Sequence, residues 1–337
     1  MRICAAILIA LSVTVSAHAE PDNHDQFVAV RRIETQSEGS VVAVRVFYPT
    51  KTVAQQNQFG PWRLKLAKNA DPLKGVYPLI VISHGLGGND WNHHLLAQEL
   101  VARGFVVAAM RHPEDLLRVG RPQQVILRPL EVGATLDAVL NHPNLGKIID
   151  PTRIGGFGFS LGGFSILAAA GGKVDLSQIG VHCKTAEHDP QFCMGEKGGA
   201  ALPLWLRLRR LVYSVPQVEL SQDTLDHRLK ALVLAAPVGL PFVDLTRVEL
   251  PVMVIRAGDD QELRFPYHAE KIHNLLGQHH RYKVIENLHH YAFLSPFPMA
   301  IVDEVGAPAR DPIGFDRLGF LKTIHDEIAD FFTEQLQ

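Results

Sequence analysis

The stretch that most constrains the fold is residues 153–164, because it contains Gly158-Phe159-Ser160-Leu161-Gly162, a serine flanked by glycines two residues away on either side. A serine in that G-x-S-x-G pattern sits on a sharp turn between a strand and a helix, where larger flanking side chains would collide as the two elements close on each other. The bare pattern occurs by chance in roughly one chain in ten of this length, so its context has to carry the reading. Residues 154–159 ahead of it read as a short strand. Residues 162–170 behind it are small and apolar, compatible with a helix, and Gly171-Gly172 closes them. Ser160 is therefore the candidate nucleophile. The N–H of Leu161, opening the helix, is a candidate donor to a reacting oxygen.

The rest of the chain alternates in the way this turn requires. Residues 27–33 and 41–48 are rich in β-branched side chains and are broken by Ser-Glu-Gly-Ser, which predicts an antiparallel pair. Residues 50–74 read as a polar connection. The apolar strand 77–83 runs directly into His84-Gly85-Leu86-Gly87-Gly88, and a Gly-rich loop at a strand end beside the nucleophile can supply a second backbone donor from Leu86. A helix over 93–103 stopped by Gly104, a strand over 105–110 and a helix opened by Pro129 follow. Strands at 231–236, 252–256 and 282–285 continue the rhythm, and an amphipathic helix over 315–332 ends it. The expectation is an α/β fold of about eight mostly parallel strands, with helices on both faces and ligands at the carboxyl ends of the strands.

Residues 174–226 interrupt the alternation and read as an inserted lid. They hold Cys183 and Cys193, and an apolar and basic run over 202–212 with Leu204, Leu208, Leu211 and Val212 on one helical face and Arg207, Arg209 and Arg210 among them. Packing over the core is the first reading of that face, and transient contact with a membrane surface the second. The 337 residues, 47% hydrophobic, suffice for one large domain spanning 20–337, and no internal repeat is visible. A net charge of -2 without basic runs argues against a nucleic-acid partner, and no Cys or His spacing suits a metal site.

Residues 1–19 read as a signal peptide: Met1-Arg2, an apolar run over 3–15, then Ser16-Ala17-His18-Ala19. The run is too short to span a bilayer. The expected address is exported, periplasmic or extracellular, where an even pair of cysteines is expected to bond as Cys183–Cys193.

A serine hydroxyl needs a base within hydrogen-bond reach and a third group to orient that base, and on this fold the expected chain order is Ser, acid, His. After the strand ending at Arg256 come Asp259 and Asp260, and after the strand ending near Ile285 come His289 and His290. Each role thus has two adjacent candidates.

Taken together, Arg45-Val-Phe-Tyr-Pro, Val81-Ile-Ser-His-Gly-Leu-Gly-Gly, Gly104-Phe-Val-Val-Ala-Ala, Gly158-Phe-Ser-Leu-Gly-Gly and His290-Tyr-Ala-Phe-Leu resemble α/β-hydrolases of the platelet-activating factor acetylhydrolase type and the serine-bearing relatives of dienelactone hydrolase. The resemblance runs from about Val41 to the C-terminal helix and is faintest in the lid. It implies Ser160 as nucleophile, Leu86 and Leu161 as oxyanion donors, an ester or small acyl substrate and no cofactor. Dienelactone hydrolase itself carries cysteine at the nucleophile, so Ser160 argues against that activity. The family's histidine is usually preceded by Gly and followed three residues on by Phe, which selects His290 ahead of Phe293 over His289. Its acid usually falls three residues after the glycine. That offset from Gly258 lands on Gln261, so Asp260 is preferred over Asp259 only with a one-residue deletion. The functional expectation is an exported serine esterase. A lipid-cleaving acylhydrolase and a hydrolase-fold binding protein without catalysis are the alternatives.

Overall fold

The computed structural model describes residues 26–113, 122–185, 189–194, 224–277 and 280–337. The chain opens with β1 (Phe27–Ser37) and β2 (Ser40–Thr50), paired antiparallel around Glu38 and Gly39. Both turn residues have positive φ, 47° and 78°, as a two-residue hairpin turn whose twist matches the strands demands.

The segment 50–74 differs from the polar connection expected of it, for it contains a second hairpin, β3 (Gln55–Phe59) and β4 (Trp62–Lys68). Trp62 and Leu66 are buried on one face, and Gly60-Pro61 makes the turn. The four polar residues Gln55 to Gln58 conceal the strand because β3 lies at the sheet edge, where little of it meets the core. This hairpin accounts for the difference between the expected eight strands and the ten observed.

The main sheet runs β3-β4-β1-β2-β6-β5-β7-β9-β11-β12. Its later members are β5 (Tyr77–Ser83), β6 (Val106–Arg111), β7 (Ile149–Phe159), β9 (Leu229–Ala235), β11 (Val252–Ala257) and β12 (Arg281–Ile285), all mutually parallel. A short antiparallel pair, β8 (Lys173–Val174) with β10 (Phe242–Asp244), stands apart.

Because strand side chains alternate between faces, the buried residues divide into two layers. Leu79 and Val81 of β5 join Val132, Leu136 and Val139 of helix α2 (Pro122–Leu140), Phe164 and Leu167 of helix α3 (Leu161–Ala169), and Ile272. Ile80 and Ile82 face the other way, onto Leu96 and Leu100 of helix α1 (His94–Ala102) and the C-terminal helix Arg317–Leu336, through Ile324, Ile328 and Phe332. The C-terminal helix is capped by Asp316, whose carboxylate accepts from the Gly319 N–H at 3.0 Å.

Helix α2 begins before Pro129, the residue expected to open it, and carries that proline inside. Proline removes one intrahelical hydrogen bond. The buried face of α2 runs through Arg128, Glu131, Val132, Thr135, Leu136 and Val139, at helical spacing, and packing along this face carries the helix across the proline.

Within residues 174–226, the expected lid, the structure describes helix α4 (Ser177–His182), a turn, and the single turn α5 (Pro190–Met194), joined by the disulfide Cys183–Cys193 with the Cα atoms 5.3 Å apart. The run 202–212, with Leu204, Leu208 and the three arginines, lies outside the described residues, as does the expected signal peptide.

Candidate active site

Ser160 stands between the end of β7 and the start of α3 with φ 55° and ψ -119°, a conformation costly for a residue with a side chain. The neighbours enforce it. The Ser160 N–H donates to the Ala235 carbonyl at 3.0 Å, and its own carbonyl accepts from Gly163 and Val238, each at 3.0 Å. A Cβ at Gly158 would lie 2.4 Å from the Gly162 carbonyl, and one at Gly162 would lie 1.9 Å from the Ser83 carbonyl. Only hydrogen fits at either place.

The structure brings Ser160, His290 and Asp260 together. His290 Nε2 is 3.0 Å from Ser160 Oγ, and His290 Nδ1 is 2.7 Å from Asp260 Oδ2. All three are buried, His290 to 4% exposure. Asp260 Oδ1 accepts the backbone N–H groups of Glu262 at 2.9 Å and Leu263 at 2.8 Å, which fixes the carboxylate. With Nδ1–H donating to Asp260, Nε2 is left as the acceptor facing the serine hydroxyl.

The second choices lie elsewhere. Asp259 is exposed and accepts from the Gln261 side chain at 2.8 Å. The His289 ring packs edge-on against Phe315, with Nε2 3.3 Å from Asp311 Oδ1 but without hydrogen-bond geometry. Burial, then the Arg317 charge, hold the His289 pKa below its ordinary value. The two loops are tied by backbone: Gly258 N–H donates to the Ile285 carbonyl at 2.8 Å and Asp259 N–H to the Leu288 carbonyl at 2.9 Å. These bonds bring Asp260 opposite His290.

Leu86 and Leu161 both line the cavity that holds Ser160 and His290, a space of about 650 Å³. Leu161 is the first residue of α3, where backbone N–H groups have no intrahelical acceptor. The loop bearing Leu86 passes close over the nucleophile, since a Cβ at Gly85 would come within 3.3 Å of Ser160 Cβ. Phe192, Val238, Leu263, Leu294 and Phe297 supply apolar wall, and Asn89, Gln191 and Glu262 polar wall.

The segment bearing α5 reaches this cavity through Gln191 and Phe192. Asp189, fully buried, holds this segment by accepting from His268 Nε2 at 2.7 Å and His182 Nε2 at 3.3 Å. Burial lowers the His268 pKa, against the raising effect of Asp189.

Sequence reasoning missed a second buried polar group under the glycine-rich loop. Arg128 and Glu131 of α2, His112 after β6, and Ser83 and His84 are all at most 3% exposed. His112 Nδ1 bonds the Glu131 carboxylate and His112 Nε2 accepts from Ser83 Oγ at 2.8 Å. Burial pushes Glu131 up to about 7, and burial followed by the Arg128 charge holds His84 and His112 well below their ordinary values. One signal was legible: Arg128 and Glu131 fall on the same helical face as Val132 and Leu136, and charges on an apolar face have to be paired.

Strand order, the strained serine between β7 and α3, and an acid and a histidine following later strands are those of the α/β-hydrolase fold, which this chain adopts. The family model described as platelet-activating factor acetylhydrolase, isoform II, matches residues 44–116, which include the Leu86 loop. Among solved structures, a ferulic acid esterase from Streptomyces cinnamoneus superposes with TM-score 0.59 at 18% identity, covering 94% of this chain and 92% of its own. A dienelactone hydrolase-like promiscuous phosphotriesterase from metagenomic libraries gives TM-score 0.54 at 12% identity, covering 92% of this chain and all of its own. A dienelactone hydrolase from Anabaena variabilis gives 0.51 at 12% identity, covering 92% and 99%. At these identities the likeness is one of fold.

Proposed function

We propose that the protein is an exported serine esterase that cleaves carboxylic esters through an acyl-enzyme, with Ser160, His290 and Asp260 as its triad. The observation that carries this reading is the unbroken relay from Asp260 through His290 to Ser160, 2.7 Å and 3.0 Å per link, opening on the cavity of about 650 Å³. His290 Nε2 takes the hydroxyl proton as Ser160 Oγ forms a bond to the ester carbonyl carbon. The carbonyl π electrons move to oxygen, where the N–H groups of Leu86 and Leu161 receive the negative charge. As the C–O bond to the alcohol breaks, His290 gives the proton to the leaving oxygen. Water, deprotonated by His290, then releases the acid and restores Ser160.

The substrate class follows from the walls. Phe192, Leu263, Leu294 and Phe297 suit a short or lipid-derived acyl chain. The family match and the esterase among the structural neighbours support ester chemistry. Export rests on the leader-like residues 1–19, and the Cys183–Cys193 bond fits an oxidising compartment.

A fluorophosphonate probe tests the reading. It should label Ser160 in the wild type, and Ser160→Ala should abolish both labelling and turnover of 4-nitrophenyl acetate while the circular dichroism spectrum is kept. Full turnover in Ser160→Ala would overturn it.

A further inference from the structure

We propose that Arg128 is a positioning residue for the oxyanion loop, holding residues 84–88 over Ser160 through the His84 carbonyl; this rests on the esterase reading above. Arg128 is 1% exposed, and its Nη2 donates to the His84 carbonyl oxygen at 3.0 Å. That carbonyl is wedged against the nucleophile turn, since a Cβ at Gly162 would come within 2.8 Å of it. The guanidinium therefore fixes the point from which the chain runs through Gly85 to Leu86.

The His84 imidazole is the core around which the loop bends. Its Nδ1 lies 2.7 Å from the Gly85 carbonyl, and its Nε2 accepts the His112 N–H at 3.2 Å. Nδ1 therefore carries the hydrogen, and the 3.3 Å approach of Arg128 Nη2 to the same nitrogen is a contact between two donors. On the other side Gly88 closes over the ring, where an added Cβ would meet Nδ1 at 2.8 Å. The loop is held from below by Arg128, from within by its own histidine, and from above by the absence of a side chain at Gly88.

Arg128 is poorly suited to a merely structural role. Its Nε and Nη1 meet no acceptor among the described residues, and Glu131, the carboxylate whose charge supports it, is engaged by His112. Burial pulls its pKa down to about 9, which leaves it charged at neutral pH. A buried cation with two donors that meet no described acceptor is costly to the fold. A hydrophobic residue of similar size would suit the fold better. What only a donor in this place provides is the bond to the His84 carbonyl, and catalysis by a backbone N–H depends on its being aimed before the charge develops.

The experiment compares Arg128→Met, Arg128→Gln and Arg128→Lys with the wild type. It uses 4-nitrophenyl acetate as substrate, phenylboronic acid as a tetrahedral mimic, and fluorophosphonate titration to count competent sites. Arg128→Met should lower kcat per competent site about 100-fold with KM within about 3-fold, in the range seen on losing one oxyanion donor. Boronate affinity should fall in parallel with kcat/KM. Arg128→Gln and Arg128→Lys, which each keep an N–H able to reach His84, should recover about 10-fold of the loss. Gly88→Ala, which disturbs the loop without touching a buried charge, should show the same signature and stands in if Arg128→Met fails to fold. The inference falls if folded variants keep wild-type kcat and boronate affinity, if the loss appears in KM, or if Gln and Lys behave as Met does. A wild type that neither turns over esters nor takes the probe at Ser160 would instead overturn the esterase reading itself.

Discussion

Asp260 and His290 are 30 residues apart in the chain, yet Asp260 Oδ2 stands 2.7 Å from His290 Nδ1. Their immediate neighbours Asp259 and His289 face Gln261 and Asp311 instead. Adjacent residues leave the backbone in different directions, so the pairing of the loops selects one member of each doublet.

The doublets should therefore separate sharply by mutation. His290→Ala is expected to lower kcat by about 10⁴ or more, since neither the serine proton nor the leaving group is then handled. Asp260→Asn should cost about 10⁴ by favouring the wrong imidazole tautomer. His289→Ala and Asp259→Asn should each stay within about 10-fold of wild type. Steady-state kinetics on proteins checked by circular dichroism decides the matter, and a crippled His289→Ala with a healthy His290→Ala would reverse the assignment.

Acyl-chain selection should depend on the apolar wall. Phe192→Ala opens the cavity beside Gln191 and removes an aromatic contact. It is expected to reduce kcat/KM for 4-nitrophenyl hexanoate by about 10-fold while changing that for the acetate by less than about 2-fold. Equal losses on the two esters would mean that Phe192 does not touch the acyl chain.

The Cys183–Cys193 bond closes a loop with a sequence separation of 10, so by chain entropy it should contribute about 2.5 to 3 kcal/mol. Cys183→Ser with Cys193→Ser should lower stability by that order in urea unfolding. Because Gln191 and Phe192 lie inside the closed loop, KM for long-chain esters should rise more than for acetate. Two free thiols in mass spectrometry of the non-reduced native protein would show that the bond is absent.

Acid should destabilise the fold. Burial lowers the pKa of His93 to about 3 and of His94 and His325 to about 4, well under the unfolded value of 6.5. Below about pH 6.5 the unfolded chain binds protons at these positions that the native protein refuses, so unfolding free energy falls as the pH drops. At pH 5 the loss is at most about 2 kcal/mol per histidine. Glu131, pushed up to about 7, acts oppositely: its native form holds a proton that the unfolded chain has released, which favours the fold below that pH. His84, His112, His268 and His289, also held below their ordinary values, act in the same direction as these three and outweigh the one carboxyl, so Tm should fall from pH 7 to pH 4.5, and His325→Gln should flatten the decline. A Tm rising over this interval would show that these histidines are protonated in the native protein.

What the sequence alone determined was local in origin. Gly158 and Gly162 announce the turn at Ser160 because the close approach of β7 and α3 excludes side chains. Continuous apolar runs announce the central strands, both faces of which are covered. The same rule hid β3, an edge strand whose first four residues are Gln and Asn and which carries no apolar run, and it misplaced the start of α2, where packing overrides Pro129. Tertiary structure decided everything that depends on distant chain segments meeting. His290 comes 130 residues after Ser160 and reaches it only because β7, β9, β11 and β12 lie side by side and end on one edge. Arg128 finds the His84 carbonyl 44 residues away by the same logic. Residue spacing encodes backbone conformation over a few positions, whereas the direction a loop side chain takes is fixed by hydrogen bonds to strands that the local sequence does not contain.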